Sequence, residues 1–314
     1  MVSNRSQPGG AAQAAAGSKH APTERNGPER QDEDTRTKEG TGSETRASTG
    51  SSLGRMSAPR LETDPTGGGW EPSPDGRLWI SAGPPEPGWW RVLYEQHERT
   101  GLWPLLLGSL SDREPDRPWR DPDDRQPGQI RSAPGDHYPG ALLGRWWSSV
   151  EPEEEDGEEE LMASIGPFRA GWPGLARRGR LRADPGERAS EIAGLVSAKG
   201  WLSVPRLGLI RSAGGADALT DVAWTGPTNH ENDTAKISCV LRNWEDRFGV
   251  RVVAADFAGL YVSVAAPPLD EDHALEVAAE HHAFCPDNVL QGCGSLWEYA
   301  ASLVGAPLWS FWWD

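Results

Sequence analysis

The stretch Asp233-Thr-Ala-Lys-Ile-Ser-Cys-Val-Leu-Arg-Asn-Trp-Glu-Asp-Arg-Phe-Gly249 decides the fold of the C-terminal half of the chain. Its large apolar residues recur at helical spacings of three and four, and they are Ile237, Val240, Leu241, Trp244 and Phe248. This spacing predicts a helix with one continuous apolar side. Asn232 or Asp233 is the predicted N-cap, and Gly249 is the predicted end, because glycine readily adopts the left-handed conformation that ends many helices.

Downstream of this helix, the sequence alternates between strand and helix patterns. Two apolar runs flank a tight turn at Ala258-Gly259 and predict a hairpin. Acidic residues after Asp270 suit the first turn of a helix, and Ser295-Leu-Trp-Glu298 is a capping box that predicts another helix. The predicted elements are strands at 250–256 and 260–266, helices at 270–283 and from 295 to 305, and a closing strand at 308–313.

Upstream of it, Asp184-Pro-Gly-Glu187 predicts the capped start of a helix that ends at Gly200. Residues 207–211 predict a short strand. From residue 204 onward the order of elements is therefore β-α-β-β-α-(α)-β, which is typical of the split β-α-β, ferredoxin-like arrangement. We predict an α+β domain at 184–314 with an antiparallel or mixed sheet covered by helices on one face.

A smaller N-terminal α/β block is predicted at residues 70–150. Residues 77–81 and 102–107 predict strands, and a helix between them ends before Gly101, which gives a β-α-β unit. Pro104 argues against a central position for the second strand, because proline has no backbone N–H to donate to a neighbouring strand. Residues 141–150 predict a further helix.

Two segments, 1–66 and 151–183, are predicted to lie outside the folded blocks. The first holds Gly, Ser, Thr, Ala, Pro and mixed charges, and it predicts a disordered tail. Met56, near the end of this tail, is an alternative start of translation. The second segment begins with eight acidic residues among the ten of 151–160, and it predicts a linker because like charges repel each other.

The chain is acidic, with a formal net charge of −16. The tail 1–66 carries equal numbers of basic and acidic residues, so the whole excess lies on residues 67–314. Phosphate groups are neutralised by clustered Lys and Arg, so the sequence predicts neither a nucleic-acid partner nor an anionic membrane surface. A basic protein partner is compatible with this charge.

The three cysteines, Cys239, Cys285 and Cys293, do not form a disulfide framework, because their number is odd and small and no Cys-x-x-Cys occurs. The N-terminus lacks the apolar core of a signal peptide. No apolar run reaches the roughly 18 residues of a membrane span. We therefore expect reduced thiols and a cytoplasmic protein, and the sequence predicts no cofactor.

Four motifs of the C-terminal half resemble one bacterial family. They are Trp224-Thr-Gly-Pro-Thr-Asn229, Leu241-Arg-Asn-Trp-Glu-Asp-Arg-Phe248, Ala283-Phe-Cys-Pro-Asp-Asn288 and Trp309-Ser-Phe-Trp-Trp-Asp314. Together they look like the family of domain of unknown function 4253 over residues 204–314. Thr100-Gly-Leu-Trp-Pro-Leu-Leu-Leu107 resembles the front part of longer actinobacterial members. The resemblance implies no activity and no catalytic residue.

The densest cluster of reactive side chains is His281, His282, Cys285, Asp287 and Asn288. His281 and Cys285 are four residues apart, so a helix that reached Cys285 would place both on one face, at the spacing of a thiol–imidazole pair. His281, Cys285 and Asp287 are thus the candidate catalytic residues. Apolar residues earlier on the same face indicate instead a core histidine and an inert buried thiol. No metal site is predicted, because only two ligands are placed.

Candidate contact residues for a ligand or partner lie in a polar loop, at the end of the reactive cluster and near the C-terminal residue; they are Trp224, Asn229, His230, Asn288, Trp312 and Trp313. Successive residues of a strand point to opposite faces, so Trp312 and Trp313 cannot both enter one core. An exposed Trp is a candidate contact for a partner. Core packing and ordinary turn and cap roles are the alternatives.

Three hypotheses about function stay open at this point. The first is a non-enzymatic binding or protein-interaction module with a Trp-lined cleft, because Trp is abundant and the sequence shows no catalytic signature. The second is a hydrolase or transferase that uses the 281–288 segment. The third is an acidic immunity or regulatory protein for a basic partner.

Overall fold

A computed structural model of the chain describes residues 58–125, 127–150 and 157–314. Most of the predicted tail, with Met56, lies outside these residues, as does part of the predicted linker. Residues 58–66 are described, although the sequence pattern placed them in the tail. The N–H groups of Glu62 and Thr63 donate to Oε1 of Gln96, at 2.8 and 3.1 Å. The folded region therefore begins earlier than predicted, because a buried amide far along the chain binds this backbone.

Seven strands and nine helices occur in the described residues. The strands are β1 (Trp70–Pro72), β2 (Leu78–Ser81), β3 (Leu102–Ser109), β4 (Ser203–Arg211), β5 (Arg251–Ala255), β6 (Gly259–Ser263) and β7 (Leu308–Trp312). The helices are α1 (Trp89–Tyr94), α2 (His97–Thr100), α3 (Pro139–Ser149), α4 (Gly157–Ser164), α5 (Pro185–Lys199), α6 (Gly215–Asp221), α7 (Thr234–Phe248), α8 (Glu271–Phe284) and α9 (Leu296–Leu303). A π-helical turn, Asn288–Cys293, separates α8 from α9. None of these helices is long and apolar enough to cross a membrane.

Helix α7 forms where the apolar spacing predicted it. Asp233 caps the helix by accepting from the N–H of Ala235 at 3.3 Å, and Gly249 ends it in the left-handed conformation with φ 61°. Trp244 and Phe248, on the predicted apolar side, are fully buried. Burying one large apolar side chain contributes about 1.5–3 kcal/mol, so this side fixes the helix to the core.

All seven strands form one sheet in the order β1-β2-β4-β3-β5-β6-β7. Neighbouring strands run antiparallel except β3 and β5, which are parallel. Strand β3 comes from the predicted N-terminal block, yet it lies between β4 and β5. The two predicted blocks therefore contribute strands to one sheet and side chains to one core.

The structure confirms the predicted α+β class and the order of elements from β4 to β7. The strand order differs from a ferredoxin-like sheet. Because β3 is antiparallel to β4 and parallel to β5, these two outer neighbours run antiparallel to each other, whereas a β-α-β unit joins parallel strands. Pairing with a strand so distant in sequence leaves no local signal, so the spacing of the C-terminal elements could not predict it.

Strand β3 is central in spite of its proline. All eight of its residues are buried, as the apolar run predicted. Strand β5 pairs with β3 at Leu106 and Leu107, beyond Pro104. The missing N–H of the proline therefore does not interrupt this ladder, and the prediction against a central position was wrong.

Helices cover both faces of the sheet, whereas the sequence pattern predicted them on one face. Val262 of β6 is registered with Trp309 of β7, and the Trp309 ring packs against Trp244 of α7. Tyr261 points to the opposite face and stacks on Trp201, which follows α5. Helix α5 packs against β5 and β6. The helices of the predicted C-terminal domain are thus divided between the two faces.

Candidate functional site

The predicted reactive residues lie where α8 ends and the chain turns toward α9. His281 is in the last turn of α8, Cys285 is its C-cap, and Asp287 and Asn288 begin the π-helical turn. His281 and Cys285 are fully buried and Asn288 is 6% exposed, whereas Asp287 is partly exposed. The structure therefore brings His281, Cys285 and Asn288 together beneath the surface and leaves Asp287 at the surface.

Asn288 and Cys285 bind the outer edge of β7, the last strand of the sheet. The Asn288 amide donates through Nδ2 to the carbonyl of Ser310 at 2.7 Å and accepts at Oδ1 from the N–H of Trp312 at 3.3 Å. The Cys285 thiol donates to the carbonyl of Trp312 at 2.9 Å. Free backbone groups on an edge strand invite pairing with another chain. We call Cys285 and Asn288 the edge clamp, because they occupy three of these groups.

His281 is tied to the edge clamp through Tyr299. The Tyr299 hydroxyl accepts from Nδ2 of Asn288 at 2.9 Å and lies 3.1 Å from Nδ1 of His281. The hydroxyl and Nδ1 share one hydrogen bond, whose direction depends on the tautomer of the histidine. The ring lies between Trp309 and Phe311, at centroid distances of 4.5 and 4.9 Å. Burial lowers the pKa of His281 well below its usual value, so the imidazole is neutral.

The geometry of this cluster favours a structural role. A nucleophilic thiol needs access and a lowered pKa, but burial raises the pKa of Cys285. The thiol points to two oxygen acceptors, the Trp312 carbonyl and Oδ1 of Asn288, while His281 is bonded to Tyr299. In the part of the chain that the structure describes, no group of three or more His, Cys, Asp or Glu could hold a metal ion.

Replacing Asn288 by Asp is expected to lower the free energy of unfolding by about 1–3 kcal/mol, because a carboxylate cannot donate to the Ser310 carbonyl or to Tyr299. Urea denaturation followed by Trp fluorescence measures this loss. Asn232→Asp, the same change at an exposed position before α7, is the matched control and should cost less than about 0.5 kcal/mol. Equal losses for the two variants would contradict the edge clamp.

The polar loop that precedes α7 contacts the last residues of the chain. Trp224 is fully buried, its Nε1 donates to a backbone carbonyl at the end of β5 at 2.7 Å, and its ring packs edge-on against Trp313 at 5.8 Å. Asn229 is exposed and donates to the carbonyl of Asp314 at 2.7 Å, while the N–H of Asp314 donates to Asp287 at 3.1 Å. These contacts therefore hold the last two residues, Trp313 and Asp314, against the rest of the fold.

His230 and His282 lie close to each other against α3. The His230 ring packs on Trp146 at 5.2 Å, and the His282 ring packs on Trp147 at 5.3 Å. Burial lowers the pKa of both histidines. For His282 the pKa falls to about 4, and the neighbouring His230 acts in the same direction. Both imidazoles are therefore neutral near pH 7.

Protonation of His282 is expected to destabilise the fold as the pH falls from 6.5 toward 4. A base whose folded pKa is depressed loses stability once the pH drops below its ordinary pKa, here 6.5. Between pH 7.5 and pH 5 the loss amounts to about 2 kcal/mol. The difference in unfolding free energy between the native sequence and His282→Gln should fall by this amount, and taking the difference cancels the titration of the carboxylates. If this difference in unfolding free energy did not change with pH, protonation of His282 would not destabilise the fold.

Trp312 and Trp313 separate as the alternation of a strand predicts. Trp313 is 4% exposed, whereas Trp312 is 40% exposed. Gly259 of β6 is registered opposite Trp312 and has no side chain to cover the indole. The Trp312 side chain therefore lies at the surface, whereas the side chains of Trp313 and Trp224 belong to the core.

Two open depressions, of about 410 and 660 Å³, lie beside Arg211 at the end of β4. In the smaller one, Arg242 is paired with Asp217 at 2.5 and 2.7 Å. The larger one is lined by Arg99, whose guanidinium is paired with Glu62 at 2.6 and 2.7 Å. None of the predicted contact residues lines either depression.

The sequence pattern did not indicate a buried ion pair between α7 and α8. Glu280 is fully buried, and Arg247 donates to its two oxygens at 2.8 and 2.5 Å. Nε1 of Trp244 and the N–H of Ala176 donate to the same carboxylate, at 2.7 and 2.6 Å. The pair thereby joins the segment before α5 to both helices. Its donors come from distant parts of the chain, so no local spacing could reveal it.

The exposed apolar residues of α9 were also missed, although a signal was present. Trp297 is 54% exposed, and Val304, at the end of the helix, is 39% exposed. Among the eight residues of α9, the charged or small polar ones are Glu298 and Ser302. A helix with so few polar positions is apolar on more sides than one core contact can bury.

No curated protein and no solved structure matches the chain. A family model matches residues 206–314, a segment that begins within β4 and includes the edge clamp and the loop of Trp224 but not β1, β2 or β3. This result confirms the resemblance that the four motifs indicated. Residues 206–314 are similar to the family described as Domain of unknown function (DUF4253).

Proposed function

We propose that the protein is a protein-interaction module that binds its partner through exposed apolar side chains of the C-terminal part. The observation that carries this proposal is the concentration of exposed apolar side chains in the C-terminal part of the chain. In the described residues, five exposed large apolar side chains fall within 269–312, and they are Leu269, Leu290, Trp297, Val304 and Trp312. Exposed tryptophans are enriched at protein interfaces and among the residues that dominate binding energy.

The exposed indoles coincide only in part with those that the sequence pattern favoured, because Trp312 was a candidate contact and Trp297 was not. Trp224 and Trp313 are buried, so Trp297 and Trp312 take the place of a Trp-lined cleft in this proposal. The proposed contact region is therefore an exposed surface and not a cleft.

The hydrolase or transferase hypothesis has less support. It requires His281 and Cys285 to reach a substrate. Both side chains, however, are fully buried and form hydrogen bonds within the fold, to Tyr299 and to the Trp312 carbonyl. The hypothesis of an acidic regulatory protein is a special case of an interaction module, and the net charge of −16 supports it.

Affinity capture tests this proposal. Full-length protein is immobilised and exposed to an extract of its native host, beside the triple variant Leu269→Ser/Trp297→Ser/Trp312→Ser and the control Tyr138→Ser. Tyr138 is 81% exposed and precedes α3, far from this segment in sequence. The proposal expects a protein that the unaltered chain and the control enrich and the triple variant does not. No enriched protein, or equal enrichment on the triple variant, would overturn it.

A further inference from the structure

The C-terminal fifth of the chain carries charges of only one sign apart from histidine. Residues 252–314 contain nine Asp and Glu and no Lys or Arg. Two arginines from earlier in the chain offset part of this charge: Arg247 pairs with Glu280, and Arg177 pairs with Asp270 and Glu276. The segment nevertheless keeps a large excess of carboxylates, which attracts cationic groups.

Three of these carboxylates stand free at the surface. Glu271 and Asp272, in the first turn of α8, and Glu298, in the first turn of α9, are exposed. None of the three side chains forms an ion pair among the described residues. They are therefore available to a partner.

Helix α9 presents an uncovered apolar side between these acidic groups. Trp297, Ala301 and Val304 are spaced by four and three residues, so they lie on the same side of the helix, and all three are exposed. The buried residues of α9, among them Leu296 and Leu303, occupy a different side. The uncovered side is therefore additional to the core contact of the helix.

Leu269 extends this apolar side beyond the helix. The N–H of Gly305 donates to the carbonyl of Pro268 at 2.7 Å, which brings the residue after Val304 next to the residue before Leu269. Leu269 is 49% exposed and Val304 is 39% exposed. We call Leu269, Trp297, Ala301 and Val304 the α9 patch.

Trp297 is held in position although half of it is exposed. A Cβ built on Gly166 would lie 2.8 Å from Nε1 of Trp297, so the indole edge rests directly on this glycine. A Trp side chain has only two rotatable bonds, so it loses little conformational freedom when a partner binds. Trp297 thus has the properties of an interface anchor.

We infer that the α9 patch binds a protein segment whose apolar side chains are flanked by Lys or Arg. The inference rests on the proposed function and names its surface and the chemistry of its partner. Apolar side chains of the segment pack on Trp297 and Leu269, and its cations meet Glu271, Asp272 and Glu298. Charge complementarity of this kind guides the encounter and selects the partner.

Charge and composition argue against other occupants. A second copy of the chain brings the same carboxylates to the same surface, and like charges that face each other across an interface are costly. The chain's own residues 1–57 contain no aromatic residue and few large apolar ones that could pack on Trp297. A surface of anionic lipid is repelled by the same acidic groups.

Binding of a defined peptide to the full-length protein tests the inference. The probe is an amphipathic peptide of Leu and Lys with roughly 18 residues, or about five helical turns. A peptide with Glu in place of every Lys is its counterpart. Affinity is measured by isothermal titration calorimetry, and the melting temperature of every variant is recorded.

Three variants change the patch or its acidic edge. Trp297→Ser removes the anchor, and Ala301→Lys places a cation in the patch without touching the core. Glu271→Lys/Asp272→Lys reverses the charge of the acidic edge.

The Leu/Lys peptide is expected to bind and the Leu/Glu peptide is not. Each of the three patch variants should weaken binding of the Leu/Lys peptide by about tenfold or more. Tyr138→Ser and the charge-matched control Glu86→Lys/Glu98→Lys, at exposed acids outside the segment, should stay within about threefold. Equal losses for Glu86→Lys/Glu98→Lys and Glu271→Lys/Asp272→Lys would reveal unspecific attraction and overturn the inference. Unchanged affinity in Trp297→Ser or Ala301→Lys would overturn it as well.

Capture from the host extract separates this inference from the proposed function. If the unaltered protein enriches a partner and Ala301→Lys enriches it equally, the α9 patch is not the contact, although the protein still acts as an interaction module. If the unaltered protein enriches no partner, the proposed function itself fails. Loss of the same partner in Ala301→Lys and in Glu271→Lys/Asp272→Lys supports both.

Discussion

Replacing Arg247 by Met is expected to lower the free energy of unfolding by about 3–5 kcal/mol, because the change leaves a buried carboxylate without its cation. Glu280 is fully buried, and the side chain of Arg247 is only 10% exposed. Trp244 and Ala176 keep donating to the carboxylate, but they supply no positive charge. Urea denaturation at pH 7 measures the loss.

A matched pair at the surface serves as the control. Arg91 and Glu95 are separated by 2.8 Å, but both side chains are more than half exposed. Arg91→Met should therefore cost less than about 1 kcal/mol. Adding Glu280→Gln to Arg247→Met should recover part of the loss, since the uncompensated charge is then removed. A cost for Arg247→Met no larger than that for Arg91→Met would show that the pair does not support the fold.

Deleting residues 309–314 is expected to abolish the cooperative thermal transition. The deletion removes most of β7 and three buried side chains, Trp309, Phe311 and Trp313. Truncating one buried Phe or Trp costs about 3–5 kcal/mol, so the loss of three approaches or exceeds the roughly 5–15 kcal/mol of a folded domain. The deletion also takes away the backbone partners of Asn288 and Cys285. Circular dichroism during heating measures the transition.

Trp312→Ala provides the control within the same strand. It removes an indole that is 40% exposed and leaves the hydrogen-bonded backbone of β7 in place. We expect a small loss of about 1 kcal/mol or less. A truncated protein that melts at the same temperature as the full chain would mean that β7 contributes nothing to the core.

The helices could be predicted because their signals are local. Asp233 and Gly249 delimit α7, and Asp184 caps α5 by accepting from the N–H groups of Gly186 and Glu187, as the sequence pattern indicated. The sheet order could not be predicted in the same way. The place of β3 between β4 and β5 is decided by pairing between distant segments, and apolar strands of similar length give no information about which neighbours they choose.

The candidate site shows the same difference between features with local signals and features that depend on distant residues. That His281 and Cys285 are buried could be predicted from the apolar residues on their face of α8. The edge clamp could not, because the role of Asn288 depends on the carbonyl of Ser310 and the N–H of Trp312, which lie beyond a π-helical turn and a further helix. For the α9 patch, the helical spacing of Trp297, Ala301 and Val304 could predict only that these residues share one side of the helix. Whether such a side is buried or exposed depends on the rest of the fold.

Reaction of the native protein with iodoacetamide tests the account of the 281–288 segment most directly. Site-by-site mass spectrometry follows the three cysteines at neutral pH. Cys293 is partly exposed, whereas Cys285 is fully buried with its thiol donating to the Trp312 carbonyl. We predict that Cys293 reacts first and that Cys285 reacts only when denaturant unfolds the chain. A Cys285 that is alkylated faster than Cys293 in the native protein would contradict the edge clamp and restore the thiol as a catalytic candidate.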